Sequence, residues 1–416
     1  MAGCVAAAAL VVYLFTLCPA VYVGDSGEIC ASALNLGIAH PPGYPLFSII
    51  GKFFSYAFPG ETIAARINAA SAALAALALP FLFLAAARLR FGENGARFPV
   101  MLATACSMFL FAFSRTNWAQ TAFAKGGIYS LNTLLLAMAL FLARSVELER
   151  SPARINRLLA CFAFIYGISL ANHHTMAMLA PVFAAYLWFS LKGKAVSIGF
   201  SRVALMFAAG LAVFIYLPAR TGSVFNWGHL QSFSDIISHV TRANYTGGES
   251  RFSMSLLARE LKVFAVLLYG QFPAYALPLS ALGLALLWKF EKKFAALLAA
   301  IFAVSVFGMA LGTNFDTSNE TVYFMDSFFI PAYLCAAMCA CAALAWFAGA
   351  AARPGWKPVS WGALALAAAT PFLAFAHNYG RADAHRNRVA ADYGKCLLDG
   401  VGKDSVLFLR RAHDIM

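Results

Sequence analysis

The chain has 416 residues, of which 62% are hydrophobic and only 12% charged, against roughly 25% charged in an ordinary soluble domain. That balance excludes a soluble globular fold and predicts an all-α polytopic membrane protein. The net charge of +13 would suit nucleic acid or anionic lipid, but the Lys and Arg residues fall in short clusters between apolar runs, as topology signals do, so no nucleic-acid partner is expected.

In chain order, apolar runs cover residues 3–23, 62–87, 98–114, 128–143, 158–172, 174–191, 203–219, 261–288, 294–312, 327–349 and 359–376. With about 20 apolar residues needed per span, they predict about eleven transmembrane helices. The first run has no Lys or Arg before Lys52, so it lacks the basic leader of a signal peptide and reads as an uncleaved span. The 261–288 run contains Pro273 and Pro278, which predicts a broken helix or two short pieces. Residues 1–376 thus form a multispan domain with long loops at 24–61 and 220–260, followed by a short soluble tail, 377–416. The nine cysteines are scattered, with neither disulfide nor zinc spacing; Cys335 and Cys339, one turn apart, are expected to pack.

Charge sets the orientation. Fifteen basic residues, from Arg88 to Lys357, lie in five short loops, while nine are spread over the longer alternate segments. The short loops are therefore predicted to be cytoplasmic, with the long loops and the tail outside, as expected for a protein of a bacterial cell membrane. The long loops hold most of the Asp, Glu, His, Asn and Trp outside the tail, so that face is where function is expected.

The first long loop reads Gly24-Asp25-Ser26-Gly27-Glu28, then His40-Pro41-Pro42-Gly43-Tyr44-Pro45. Two carboxylates three residues apart at the membrane surface suit a base that takes a proton from a hydroxyl; equally, Asp25 could be a helix N-cap. G-D-S-G also occurs around protease serines, but those need a β-barrel domain that this chain lacks. The three prolines make a stiff turn presenting His40 and Tyr44. Asn172-His173-His174 lies between adjacent runs; neighbouring histidines do not share a helix face, which argues against a metal pair. Arg66, Lys125 and Arg220 end spans on the outer side, placed to snorkel or to neutralise a phosphate. Residues 233–245 are expected to lie on the membrane surface as an amphipathic segment.

The stretch G-D-S-G-E…G-I-A-H-P-P-G-Y-P-L, from Gly24 to Leu46, resembles the opening signature of the domain-of-unknown-function 2723 family. That family is also called glycosyltransferase family 117 and includes the transmembrane-protein-260-like protein O-mannosyltransferases. The likeness continues through Arg66-x-Asn68, Tyr129-Ser130-Leu131-Asn132, Asn172-His173-x-Thr175-Met176, Tyr216-Leu217-Pro218-x-Arg220, Asn226-Trp227-Gly228, His239-Val240-Thr241-Arg242…Tyr245 and Asp326-x-Phe328-Phe329-x-Pro331-Ala332-Tyr333. Two departures stand out: Gly127 and His229 occupy places where the family tends to have acidic residues.

The resemblance implies a GT-C type glycosyltransferase fold and an inverting transfer of a hexose, mannose first, from a polyprenyl-phosphate donor to a protein or glycan hydroxyl. It implies Asp25 as the catalytic base, with Glu28 orienting it or the acceptor. Donor- and acceptor-binding roles are implied for His40, Tyr44, Arg66, Asn68, Lys125, Tyr129, Asn172, His173, Arg220, Asn226, Trp227 and Arg242, with Arg66, Lys125, Arg220 and His173 facing the phosphate. Fixed cations could stabilise the leaving group without a metal; a divalent cation at Asp25 and Glu28 is the alternative. The competing readings are a lipid or solute transporter, which would place charges near the bilayer midplane, and an inactive accessory subunit.

Overall fold

The computed structural model describes residues 1–89, 97–228, 230–243, 253–313, 317–350 and 355–408. Arg90, His229, Tyr245, Arg251 and Arg353 lie outside them. In chain order the helices are α1 (Ala2–Phe15), α2 (Ser26–Asn35), α3 (Pro45–Ala57), α4 (Ile63–Ala86), α5 (Arg97–Ala112), α6 (Arg115–Gln120), α7 (Ala124–Leu148), α8 (Pro152–Asn172), α9 (Thr175–Leu191) and α10 (Phe200–Leu211). They continue with α11 (Tyr216–Ala219), α12 (Phe233–Val240), α13 (Met254–Tyr269), α14 (Ala276–Phe290), α15 (Lys292–Thr313), α16 (Asn319–Asp326), α17 (Ile330–Gly349), α18 (Lys357–Ala382) and α19 (Val389–Asp399). Among the described residues the only β contact is an isolated bridge between Ile38 and Asn226. The protein is an all-α polytopic membrane protein.

Among the described residues seven helices are long and apolar enough to cross a membrane, and four more, Ala2–Phe15, Arg97–Ala112, Thr175–Leu191 and Ala276–Phe290, are apolar but shorter. The 261–288 run is not one span: α13 stops at Tyr269 and α14 starts at Ala276, because Pro273 cannot supply the amide a continuous helix needs. The expected tail boundary at 376 falls inside α18, which runs on to Ala382. Beyond it, the Ala384 amide donates to the Thr16 carbonyl (3.0 Å), docking the start of the tail on the end of α1.

Helix packing follows residue size. α17 is the central helix, buried along almost its whole length, while α10 is peripheral. Cys335 and Cys339 are buried in α17 and pack as expected. Gly167 of α8 and Gly210 of α10 face each other so closely that a Cβ on either would meet backbone at 2.4 and 2.3 Å, the small-residue contact typical of membrane helices.

α7 starts beside the first long loop and ends at the short basic loops, and α15 runs back the other way. Each end of the bundle therefore collects a different set of polar groups. The basic end is held by Arg144, buried between Glu147, with which it forms a short ion pair, and Glu291 at 2.8 Å.

Candidate active site

Asp25, the N-cap of α2, follows Gly24, which takes the left-handed φ of +78°. The Asp25 side chain makes no cap hydrogen bond. Its Oδ2 instead lies 2.6 Å from Lys125 Nζ, at the start of α7. The ammonium also sits 4.4 Å from the centre of the Phe324 ring, a cation–π contact that holds it in place. Beside the pair is a small cleft lined by Val23, Gly24, Phe123, Tyr129, Tyr323 and Ser327. Ser26, the serine of the G-D-S-G stretch, is fully buried.

Glu28 does not pair with Asp25. One of its oxygens accepts the His40 backbone N–H at 2.6 Å and the other lies 2.8 Å from His40 Nδ1. It anchors the proline turn. Both carboxylates therefore meet nitrogen partners, and among the described residues no three His, Cys, Asp or Glu side chains gather into a metal-binding set.

The turn is built as the prolines require. Gly43 and Tyr44 take left-handed φ values of +93° and +45°, and α3 starts at Pro45, where the missing N–H is harmless. The His40 ring packs edge-on to Tyr44 (5.2 Å) and to Trp227 (6.2 Å). Trp227 arrives through the bridge: the Ile38 N–H donates to Phe225 O (2.9 Å) and the Trp227 N–H to Ile38 O (3.0 Å). His239 of α12 closes the junction, with Nε2 3.0 Å from Ala39 O. Within the expected surface segment, α12 exposes Phe233 and Ile237 and buries His239.

Deeper on the same face, Tyr129 lies 5.6 Å from His173, and His173 stacks on His174 at 4.4 Å. His173 Nδ1 is 2.8 Å from the Thr175 hydroxyl. Arg242 Nη1 donates to His174 Nδ1 at 3.1 Å. Burial first, then the Arg242 cation, pushes His174 down to about 4; burial first, then the adjoining His174 ring and Arg242, hold His173 well below the usual imidazole range. Both rings are neutral at physiological pH. The charges of Asp25 and Arg242 both reach Tyr129.

Five of the implied binding residues donate to backbone carbonyls in this structure. Arg66 donates to the carbonyls of Gly60 (2.9 Å) and Ser55 (3.4 Å), fixing the turn before α4. Asn68 donates to Cys18 O and Ala20 O, and Asn172 to Ile128 O. Arg220 donates to Leu36 O (2.6 Å) and Asn35 O (3.0 Å), capping the C-terminus of α2. Asn226 donates to Thr221 O. A cation or amide near a helix end finds backbone carbonyls first.

Gly127 has a steric explanation. A Cβ there would lie 2.1 Å from the Phe47 ring and 2.6 Å from Ser71 Oγ, so no carboxylate fits at that position. Asp326 and Tyr333, both in the last motif quoted above, belong to a polar cluster whose other members the sequence did not mark: Asp326 accepts from Arg115 (2.9 Å), Thr116 (2.7 Å) and Tyr333 (2.7 Å), with Gln271 bridging to Thr116 (2.8 Å). The available signal was an acidic residue at the head of an apolar run, costly in a membrane unless partnered.

Comparison with known proteins points the same way. Residues 25–197 match the family model described as the Protein O-mannosyl-transferase TMEM260 N-terminal domain. The chain is 30% identical over 239 residues to Protein O-mannosyl-transferase TMEM260 of Mus musculus, covering 56% of this chain and 33% of the relative. It is 28% identical over 295 residues to Protein O-mannosyl-transferase tmem260 of Dictyostelium discoideum, covering 66% and 35%. The chain thus spans about a third of the length of these curated relatives. No solved structure matches it.

Proposed function

We propose, from the premise that residues 25–197 form an N-terminal domain of the TMEM260 protein O-mannosyl-transferase type, that this membrane protein transfers a hexose, mannose first, from a polyprenyl-phosphate donor to a protein Ser or Thr hydroxyl. The observation that carries the reading is the Asp25–Lys125 pair at one membrane face, beside the aromatic and imidazole side chains of Tyr44, Tyr129, His40 and Trp227.

The chemistry is a single displacement. The acceptor oxygen bonds to the anomeric carbon as the bond from that carbon to the phosphate oxygen breaks, inverting the configuration. The hydroxyl proton passes to the Asp25 carboxylate, a role that needs hydrogen-bond reach in the bound complex. The electron pair leaves with the phosphate, and Lys125, with Arg242 beside His174, would receive that charge. Glu28 positions the His40 turn rather than reacting. The basic short loops support a site on the external face of the membrane.

The test is sugar transfer in membranes with radiolabelled polyprenyl-phosphate mannose, comparing the wild type with Asp25→Asn. The expected result is lipid-dependent incorporation that falls by roughly a hundredfold or more in the mutant. Normal turnover by Asp25→Asn would remove the assignment. Donor binding without turnover by the wild type would favour an accessory subunit.

A further inference from the structure

On the membrane face opposite Asp25, the ends of α4, α5, α7 and α8 enclose an open cavity of about 750 Å³. Four arginines line it, Arg88, Arg97, Arg154 and Arg157, against one carboxylate, Glu149. Glu149 is already engaged: one oxygen accepts the backbone N–H groups of Arg150 (2.8 Å) and Ser151 (3.0 Å), and the other is 3.8 Å from Arg154. Arg88 is fixed in the wall, donating to Ser145 and lying 4.6 Å from the Phe141 ring centre.

All four arginines are solvent-accessible around the cavity. Three other cations at this end have acceptors of their own. Lys194 donates to the carbonyls of Val146, Glu147 and Glu149, Lys293 donates to Phe189 O, and Arg144 is paired with Glu147 and Glu291. Among the described residues that line the cavity, four like charges share one carboxylate, and an anion between them would relieve their repulsion. Guanidinium forks match phosphate oxygens in particular. The remaining wall is apolar, with Leu148 and Leu158 beside Phe141, which suits the start of an acyl chain next to a headgroup.

We propose that this cavity binds the phosphate headgroup of an anionic phospholipid, at a site separate from sugar transfer. The test uses the full chain purified in detergent and titrated with phosphatidylglycerol, phosphatidylcholine or inorganic phosphate, with bound ligand read by native mass spectrometry. Phosphatidylglycerol is expected to bind more tightly than phosphatidylcholine. Arg154→Gln with Arg157→Gln should weaken it by roughly tenfold. Lys192→Gln with Lys289→Gln, the same charge change at exposed positions outside the cavity, should leave it unchanged. Equal weakening by both pairs, equal binding of phosphatidylcholine, or displacement by inorganic phosphate at comparable concentration would each overturn the proposal. Should the glutamine pair unfold, Arg154→Lys with Arg157→Lys keeps the charge but not the fork, and is expected to weaken binding severalfold.

Discussion

Lys125 holds Asp25 through a 2.6 Å ion pair that joins the start of α7 to the start of α2. The contact places a carboxylate and an ammonium together at the membrane face, where an acceptor proton and a phosphate charge would both have to be handled.

The pair makes Lys125 the most informative cation to change. Lys125→Gln is expected to lower transfer by roughly a hundredfold or more, while Lys125→Arg keeps a larger share because the charge remains. Radiolabel incorporation in membranes at matched protein levels measures it; full activity in Lys125→Gln would mean that the ammonium only holds α2 and α7 together.

Arg220 should behave differently. It caps α2 through two backbone carbonyls, and hydrogen bonds from a charged donor are worth about 1.5–3 kcal/mol. Arg220→Gln is expected to lower thermal stability while leaving donor-lipid affinity near wild type. A large loss of donor affinity with unchanged melting would restore a phosphate role.

Gly127 is predicted to tolerate no side chain. Even Gly127→Ala would press on Phe47 and Ser71, and overpacking of this kind costs about 1–3 kcal/mol. Gly127→Glu should express poorly. Pairing Gly127→Ala with Phe47→Leu should recover part of the loss, and no recovery in unfolding measurements would place the strain elsewhere.

The histidine pair sets a pH dependence. The unfolded chain protonates these imidazoles near 6.5, whereas the folded protein keeps His174 neutral down to about 4 and His173 neutral well below its usual range. Between those limits unfolding takes up protons, so stability falls as pH drops from about 6.5 towards about 4. His174→Gln should flatten that slope, as followed by thermal unfolding in detergent; an unchanged slope would assign it to other groups.

Much of this molecule was legible in the sequence. Burial in a bilayer depends on hydrophobicity summed over a local window: the run 294–312 lies inside α15, and all but the first three residues of the run 327–349 form α17. The prolines of the His40 turn and Pro273 were equally readable, because a missing amide acts where it stands.

Partners were not readable in the same way. Arg66, Arg220 and Lys125 look alike as cations at span ends, yet two of them meet carbonyls and one meets Asp25. Glu28 stands three residues from Asp25 but binds His40, and Asp326 draws Arg115 and Gln271 from distant segments. Residue type and local spacing determine that a charge needs a partner. Which partner it finds is decided by where the helices cross, since a hydrogen bond forms only within about 3 Å.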